Sequence, residues 1–116
     1  MPSINKSVQL QWTLHARAKM NHYRLSPARV RHVLHSPKRV EEGVAPKTVA
    51  MMQPVSMKIV GKKESWNQEV WVMVQDAGGV RKVISAWRYP GVTKARDAAF
   101  LKKEYSEFLA ESPVVE

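Results

Sequence analysis

The stretch Gln68–Tyr89, QEVWVMVQDAGGVRKVISAWRY, decides the fold class. Two alternating runs, 68–75 and 80–89, flank Asp76-Ala77-Gly78-Gly79, whose glycines supply the positive φ angles that a tight hairpin wants. In the first run Val70, Val72 and Val74 share one face, and Glu69, Trp71, Met73 and Gln75 the other. In the second, strict alternation sets Lys82, Ile84, Ala86 and Arg88 against Arg81, Val83, Ser85, Trp87 and Tyr89. Pairing in register puts Trp71, Trp87 and Tyr89 on one side, either as core under a helix or as a stacking platform for bases.

Upstream of the hairpin, Thr48–Val60 reads as a long strand interrupted at Pro54, which implies an edge, a bulge or a break. Arg39–Val44 reads as a shorter strand, and residues 61–67 (GKKESWN) as a charged turn. Downstream, Pro90-Gly91 ends the sheet. A last helix over 94–110 carries Ala98, Leu101, Tyr105 and Phe108 on one stripe and leaves Lys102, Lys103, Glu104 and Glu107 outside it. At the other end, Val8–Trp12 alternates as a short strand, and Thr13 fits the N-cap of a helix over 14–24. On that helix Leu14, Ala18 and Leu25 lie opposite Ala16, Met20 and Tyr23, which predicts packing on two sides. Ser26-Pro27 starts a second helix, which buries Val30, Val33 and Leu34 and stops at Ser36-Pro37.

The expected architecture is α+β: an N-terminal helical hairpin on an antiparallel sheet of three to four strands, closed by a C-terminal helix. Residues 1–110 would form this single domain and 111–116 a flexible tail. A chain of 116 residues, 44% of them hydrophobic, suits one globular domain. No apolar run reaches the ~18 residues of a membrane span, and the first residues lack the hydrophobic stretch of a signal peptide. Without cysteine there is no disulfide scaffold and no thiolate chemistry, which fits a cytoplasmic protein. Charge is lopsided. Residues 1–40 hold Lys6, Arg17, Lys19, Arg24, Arg29, Arg31, Lys38 and Arg39 and no acid, which is +8 of the net +9. Such a block of basic helices is the footprint of a polyanion partner.

Two stretches resemble known families. Thr13-x-His15-Ala16-x-x-Lys19-Met20, with Leu25-Ser26 and Val30-x-x-Val33-Leu34-x-x-Pro37, resembles the opening of a small uncharacterised bacterial domain. Its members read T-x-H-A-x-x-R-M, then I-S, then V-x-x-V-L, so Lys19 stands where they carry Arg. Val83-Ile84-Ser85-Ala86-Trp87-Arg88 is similar to the last strand of BrnT-like toxins. Both families are placed near the RelE/ParE type. The resemblance spans residues 12–90 and implies a helical hairpin against a curved antiparallel sheet. Several such relatives are ribonucleases that act without metal, whereas ParE-type relatives are not nucleases.

Under this reading His15 is the candidate general base for a ribose 2′-hydroxyl, Arg88 the phosphate clamp, and Lys19 or Tyr89 the acid. Arg17, Arg24, Arg29, Arg31, Lys38, Arg39 and Arg81 are the candidate nucleic-acid contacts. Each has a plainer alternative: His15 as a half-buried histidine on a backbone carbonyl, Arg88 as a strand-end partner of Glu69 or Asp97, the basic helices as a solvated edge. His15 and His22 lie seven apart with no cysteine or nearby acid, a poor metal site, and His32 and His35 are read as solvated. No metal and no cofactor are expected. The functional expectation is a basic RNA-binding domain, catalytic if it is a metal-independent ribonuclease toxin of the RelE-like type. The alternative is a non-catalytic module that binds nucleic acid or an acidic, antitoxin-like protein; no membrane partner is expected.

Overall fold

The computed structural model describes residues 9–42, 44–94 and 99–111. In chain order these form β1 (Gln9–Trp12), α1 (Leu14–Tyr23), α2 (Pro27–His35), β2 (Arg39–Glu42) and β3 (Thr48–Pro54). Then come β4 (Lys58–Val60), β5 (Lys63–Ser65), β6 (Glu69–Ala77), β7 (Val80–Tyr89) and α3 (Ala99–Glu111). The architecture is α+β, with a five-stranded sheet in the order β1-β7-β6-β3-β2 and a separate two-stranded β4-β5 hairpin. All pairs in the main sheet are antiparallel except β1 with β7. Among the described residues no helix is long and apolar enough to cross a membrane.

The β6-β7 hairpin turns through Gly78 and Gly79, both at positive φ (56° and 80°), which matches the right-handed twist of the flanking strands. Val70, Val72 and Val74 face α1 and α2 together with Ala16, Met20, Leu25, Val30 and Val33. Trp71 and Met73 face the other way, with Ala50, Met52, Ile84, Trp87 and Leu101. The sheet is thus a middle layer, buried on both faces. α1 lies along β7, and α2 crosses β6 and β3, while α3 reaches β7 from the opposite side.

Several expectations need correction. The sheet has five strands rather than three or four, because β1 joins its edge parallel to β7, with Trp12 opposite Val83. The strict alternation expected in β7 breaks at a bulge, where Met73 pairs Ser85 but Val74 pairs Val83. Ile84 is the extra residue, so Val83 turns to α1 and α2 while Ile84 and Trp87 turn to α3. Beyond the end of β1, Thr13 binds the carbonyls at this bulge: its N–H donates to Val83 O (3.3 Å), and its hydroxyl shares its proton between Val83 O (2.9 Å) and Ile84 O (3.2 Å). The same oxygen accepts from Ala16 N and so caps α1. One side chain therefore starts the helix and fixes it to the sheet.

The segment 61–67 is not only a turn, since β5 pairs with β4. Pro54 ends β3, as a residue without an N–H must when the ladder reaches it. α1 is not packed on two sides: Leu14 is 81% exposed and Ala18 is exposed, whereas His15 is buried. Ser26 caps α2 through Arg29 N, with Pro27 at its first position. Glu111 belongs to α3 rather than to a tail. Lys94 is not helical; Val8, Ala98, Asp97, Lys6, residues 95–98 of the expected last helix and residues 112–116 of the expected tail lie outside the described residues.

Candidate functional site

α3 carries three carboxylates onto the buried edge of α1. His15 Nδ1 lies 2.8 Å from Glu111 Oε1, and its Nε2 lies 3.6 Å from Glu104 Oε2. Lys19, one helical turn further along α1, places its Nζ 2.8 Å from Glu104 Oε1 and 3.7 Å from Glu107. Beneath them Ser85 donates its hydroxyl to Glu104 Oε2 at 2.6 Å, from the residue that pairs with Met73 beside the β7 bulge. Burial alone pulls the Lys19 ammonium down, but the Glu104 hydrogen bond and the charges of Glu104, Tyr23 and Glu107 outweigh it. Its pKa therefore stands above the ordinary lysine value. His15 is 4% exposed, and its ring also meets the edge of Phe108.

This cluster was half legible. His15 and Lys19 are singled out by the sequence, whereas Glu104, expected outside the apolar stripe of the last helix, is buried. The signal was its spacing. Glu104 lies three residues after the buried Leu101 and four before Phe108, which is the i, i+3, i+7 pattern of one helix face. Ser85, Glu107 and Glu111 were not singled out as site residues. The premise that His15 has no nearby acid is corrected by Glu104 and Glu111, 89 and 96 residues away in the chain.

Arg88 and Tyr89 lie elsewhere. Arg88 Nε donates to Tyr23 O at 2.9 Å, at the C-terminal end of α1, and its Nη1 reaches Gln68. His15 is eight residues earlier on that helix, so about 12 Å of axis separates the two positions. A general base and a phosphate clamp must meet one reacting group within hydrogen-bond reach, and here they do not converge. Tyr89 packs at a tilt on Phe100. Trp71 and Trp87 stack at 6.1 Å with Phe100 against both, so they are core under α3.

The expected nucleic-acid contacts divide into tied and free. Arg29 donates to Gln53 Oε1 (2.9 Å), which joins α2 to β3. Lys38 pairs with Glu64, and Arg81 grips Asp76 with two bonds of 2.7 and 3.0 Å. That grip, more than the partial burial that opposes it, holds the Asp76 carboxyl below its usual range and Arg81 above its own. Arg39 donates to Thr93 O (2.7 Å), pairs with Glu41 and lies over the Trp71 ring. Arg17 and Arg24 are exposed and have no salt-bridge partner among the described residues; Arg31, also exposed, lies over Trp12 with its guanidinium 5.4 Å from the ring centre. A second buried knot forms around Glu69. It accepts from the indole N–H groups of Trp66 and Trp71 (both 2.9 Å) and from the Thr93 N–H (3.1 Å) and hydroxyl (2.7 Å). It is therefore not a partner of Arg88 but the anchor of the link toward α3. Compared with known protein families, curated proteins and solved structures, the chain shows no match.

Proposed function

We propose that this protein is a cytoplasmic, non-catalytic RNA-binding domain of RelE/ParE-like arrangement that holds the phosphate backbone on the α1–α2 side of its sheet. The observation that carries this reading is the free charge on those helices. Neither contains an acid, and Arg17, Arg24 and Arg31 stand exposed there without a carboxylate among the described residues. Uncompensated arginines on one surface raise the local potential and release counterions when they meet phosphates. Trp12, half-buried under Arg31, adds an aromatic face beside that charge. The order of a strand, two helices, an antiparallel set and a closing helix supports the RelE/ParE-like arrangement.

Cleavage is the weaker reading of the same surface. His15 would have to leave Glu111 and Glu104 before it met a ribose, and Arg88 points its guanidinium into the fold at Tyr23. The test is fluorescence anisotropy with a labelled single-stranded RNA over a salt series, with the RNA recovered afterwards in EDTA and run on a gel. The expected result is binding that weakens steeply between about 50 and 200 mM salt while the RNA stays intact. Absence of binding at the lowest salt would overturn the proposal. EDTA-resistant cleavage would hand the case to the ribonuclease.

A further inference from the structure

The cluster between α1 and α3 uses none of the residues of the basic surface, and its geometry suggests a different ligand. Glu111 Oε1 can only accept, so the 2.8 Å contact assigns the hydrogen of the bond to His15 Nδ1. In the neutral ring the lone pair then sits on Nε2. That atom is buried and has no hydrogen-bond partner, yet it lies 3.6 Å from a carboxylate oxygen of Glu104. A lone pair facing a carboxylate oxygen is repulsive unless a second ring proton or a metal ion lies between them. One donor atom from each of His15, Glu104 and Glu107 falls within 4.8 Å of the others.

We propose that His15 Nε2, Glu104 and Glu107 form a binding site for a divalent transition ion of the zinc class. Metal–ligand bonds of about 2.0–2.2 Å in tetrahedral array set donor atoms ~3.4 Å apart. The three donors therefore need only a small closure, and the fourth position is left to water. One imidazole and two carboxylates suit zinc or cobalt better than calcium, which prefers six or more oxygens. The surroundings follow the same logic. Glu111 orients the ring from its far nitrogen, as carboxylates do for metal-bound histidines. Ser85 holds Glu104 in place through Oε2. Within the cluster three carboxylates face one ammonium, an excess of negative charge that attracts a divalent ion, whose two charges replace the one of Lys19. Lys19 is the competitor, since its ammonium already sits on Glu104 and Glu107. A bound ion displaces it toward solvent and clamps α3 to α1.

The full-length chain, stripped with a chelator, is titrated with zinc chloride by calorimetry and with cobalt chloride by visible absorption. The expected result is one ion per chain, with the absorption of four-coordinate cobalt. Glu107→Gln should weaken zinc binding more than 10-fold, and Glu111→Gln by about 10- to 100-fold through the ring it orients. Lys19→Met, by removing the competitor, should tighten it. Glu107 and Glu111 are both more than a third exposed in their side chains, so these two variants keep the fold, which circular dichroism verifies. No saturable binding at millimolar zinc would overturn the proposal. So would wild-type affinity in both Glu107→Gln and His15→Gln, because the ion would then sit elsewhere, for instance on His32 and His35.

Discussion

On the α1–α2 side of the sheet the buried residues are almost all aliphatic, with Val30, Val33, Val70, Val72, Val74 and Val83 at its centre. On the α3 side Trp71 and Trp87 are buried with Met52, Met73, Ile84 and Leu101, partly buried aromatic rings pack against them, and two acids, Glu69 and Glu104, are buried close by. The charged groups are divided the other way. The aliphatic side carries its cations outward as Arg17, Arg24 and Arg31, while the aromatic side turns its carboxylates inward onto fixed donors. An aliphatic layer needs volume and nothing else. A layer that buries carboxylates needs every partner in place, because a stranded buried donor costs about 1–3 kcal/mol. The first side can therefore hold helices whose outer surface is free to bind, and the second holds α3 in one position.

The largest effect should come from breaking the polar side. Glu69→Ala strands four donors, which at about 1 kcal/mol each costs about 4 kcal/mol of stability. Glu69→Gln keeps the size but turns one acceptor into a donor, at a cost of about 2 kcal/mol. Both are measured by urea unfolding. A loss below ~1 kcal/mol in Glu69→Ala would mean that the knot is decorative. On the aliphatic side, Val33→Ala removes two methyl groups from a fully buried site and should cost about 2 kcal/mol, cavity included. If it costs more than Glu69→Ala, the comparison between the faces is reversed.

The same contrast explains what was legible in the sequence. Aliphatic alternation in β6 fixed which residues face α1 and α2, because period two in a strand leaves no other choice. The caps at Thr13 and Ser26 were legible for the same local reason. Two of the misreadings depend on chain segments far apart, and a third on a local irregularity. His15 is buried and Leu14 exposed because α3 brings Glu104 and Glu111 to His15 and nothing among the described residues covers Leu14. Apolar periodicity alone favours the opposite. The β7 bulge shifts the parity of Val83 relative to Trp87 without any glycine or proline to announce it. β1 finds its place only by pairing with residues 80–83, seventy positions downstream.

A smaller effect sharpens the comparison at the hairpin tip, where the charged pair is largely wet. Asp76 is held below its usual pKa by the two bonds from Arg81. A depressed carboxyl stabilises the fold above its unfolded pKa of about 3.9, and that contribution fades as pH falls through the lower folded value. Asp76→Asn should therefore lower the melting temperature slightly at pH 7, by an amount equivalent to a few tenths of a kcal/mol given its exposure. The gap from wild type should close below about pH 4. A gap that persists in acid would mean that the pair acts through shape and not through charge.

The central claim is that the basic α1–α2 side, and not net charge as such, holds RNA. Two triple variants separate these. Arg17→Glu, Arg24→Glu and Arg31→Glu reverse the free cations of that side, whereas Lys94→Glu, Lys102→Glu and Lys103→Glu reverse exposed lysines of α3 and the link before it. Each set removes six charges and takes the net charge from +9 to +3. RNA affinity is measured for both over the same salt series. The arginine set should lose most of its affinity, and the slope of log K against log salt should shrink by about 2, three contacts at ~0.7 each on a single strand. The lysine set should keep the wild-type slope. Equal losses in the two sets would contradict the account.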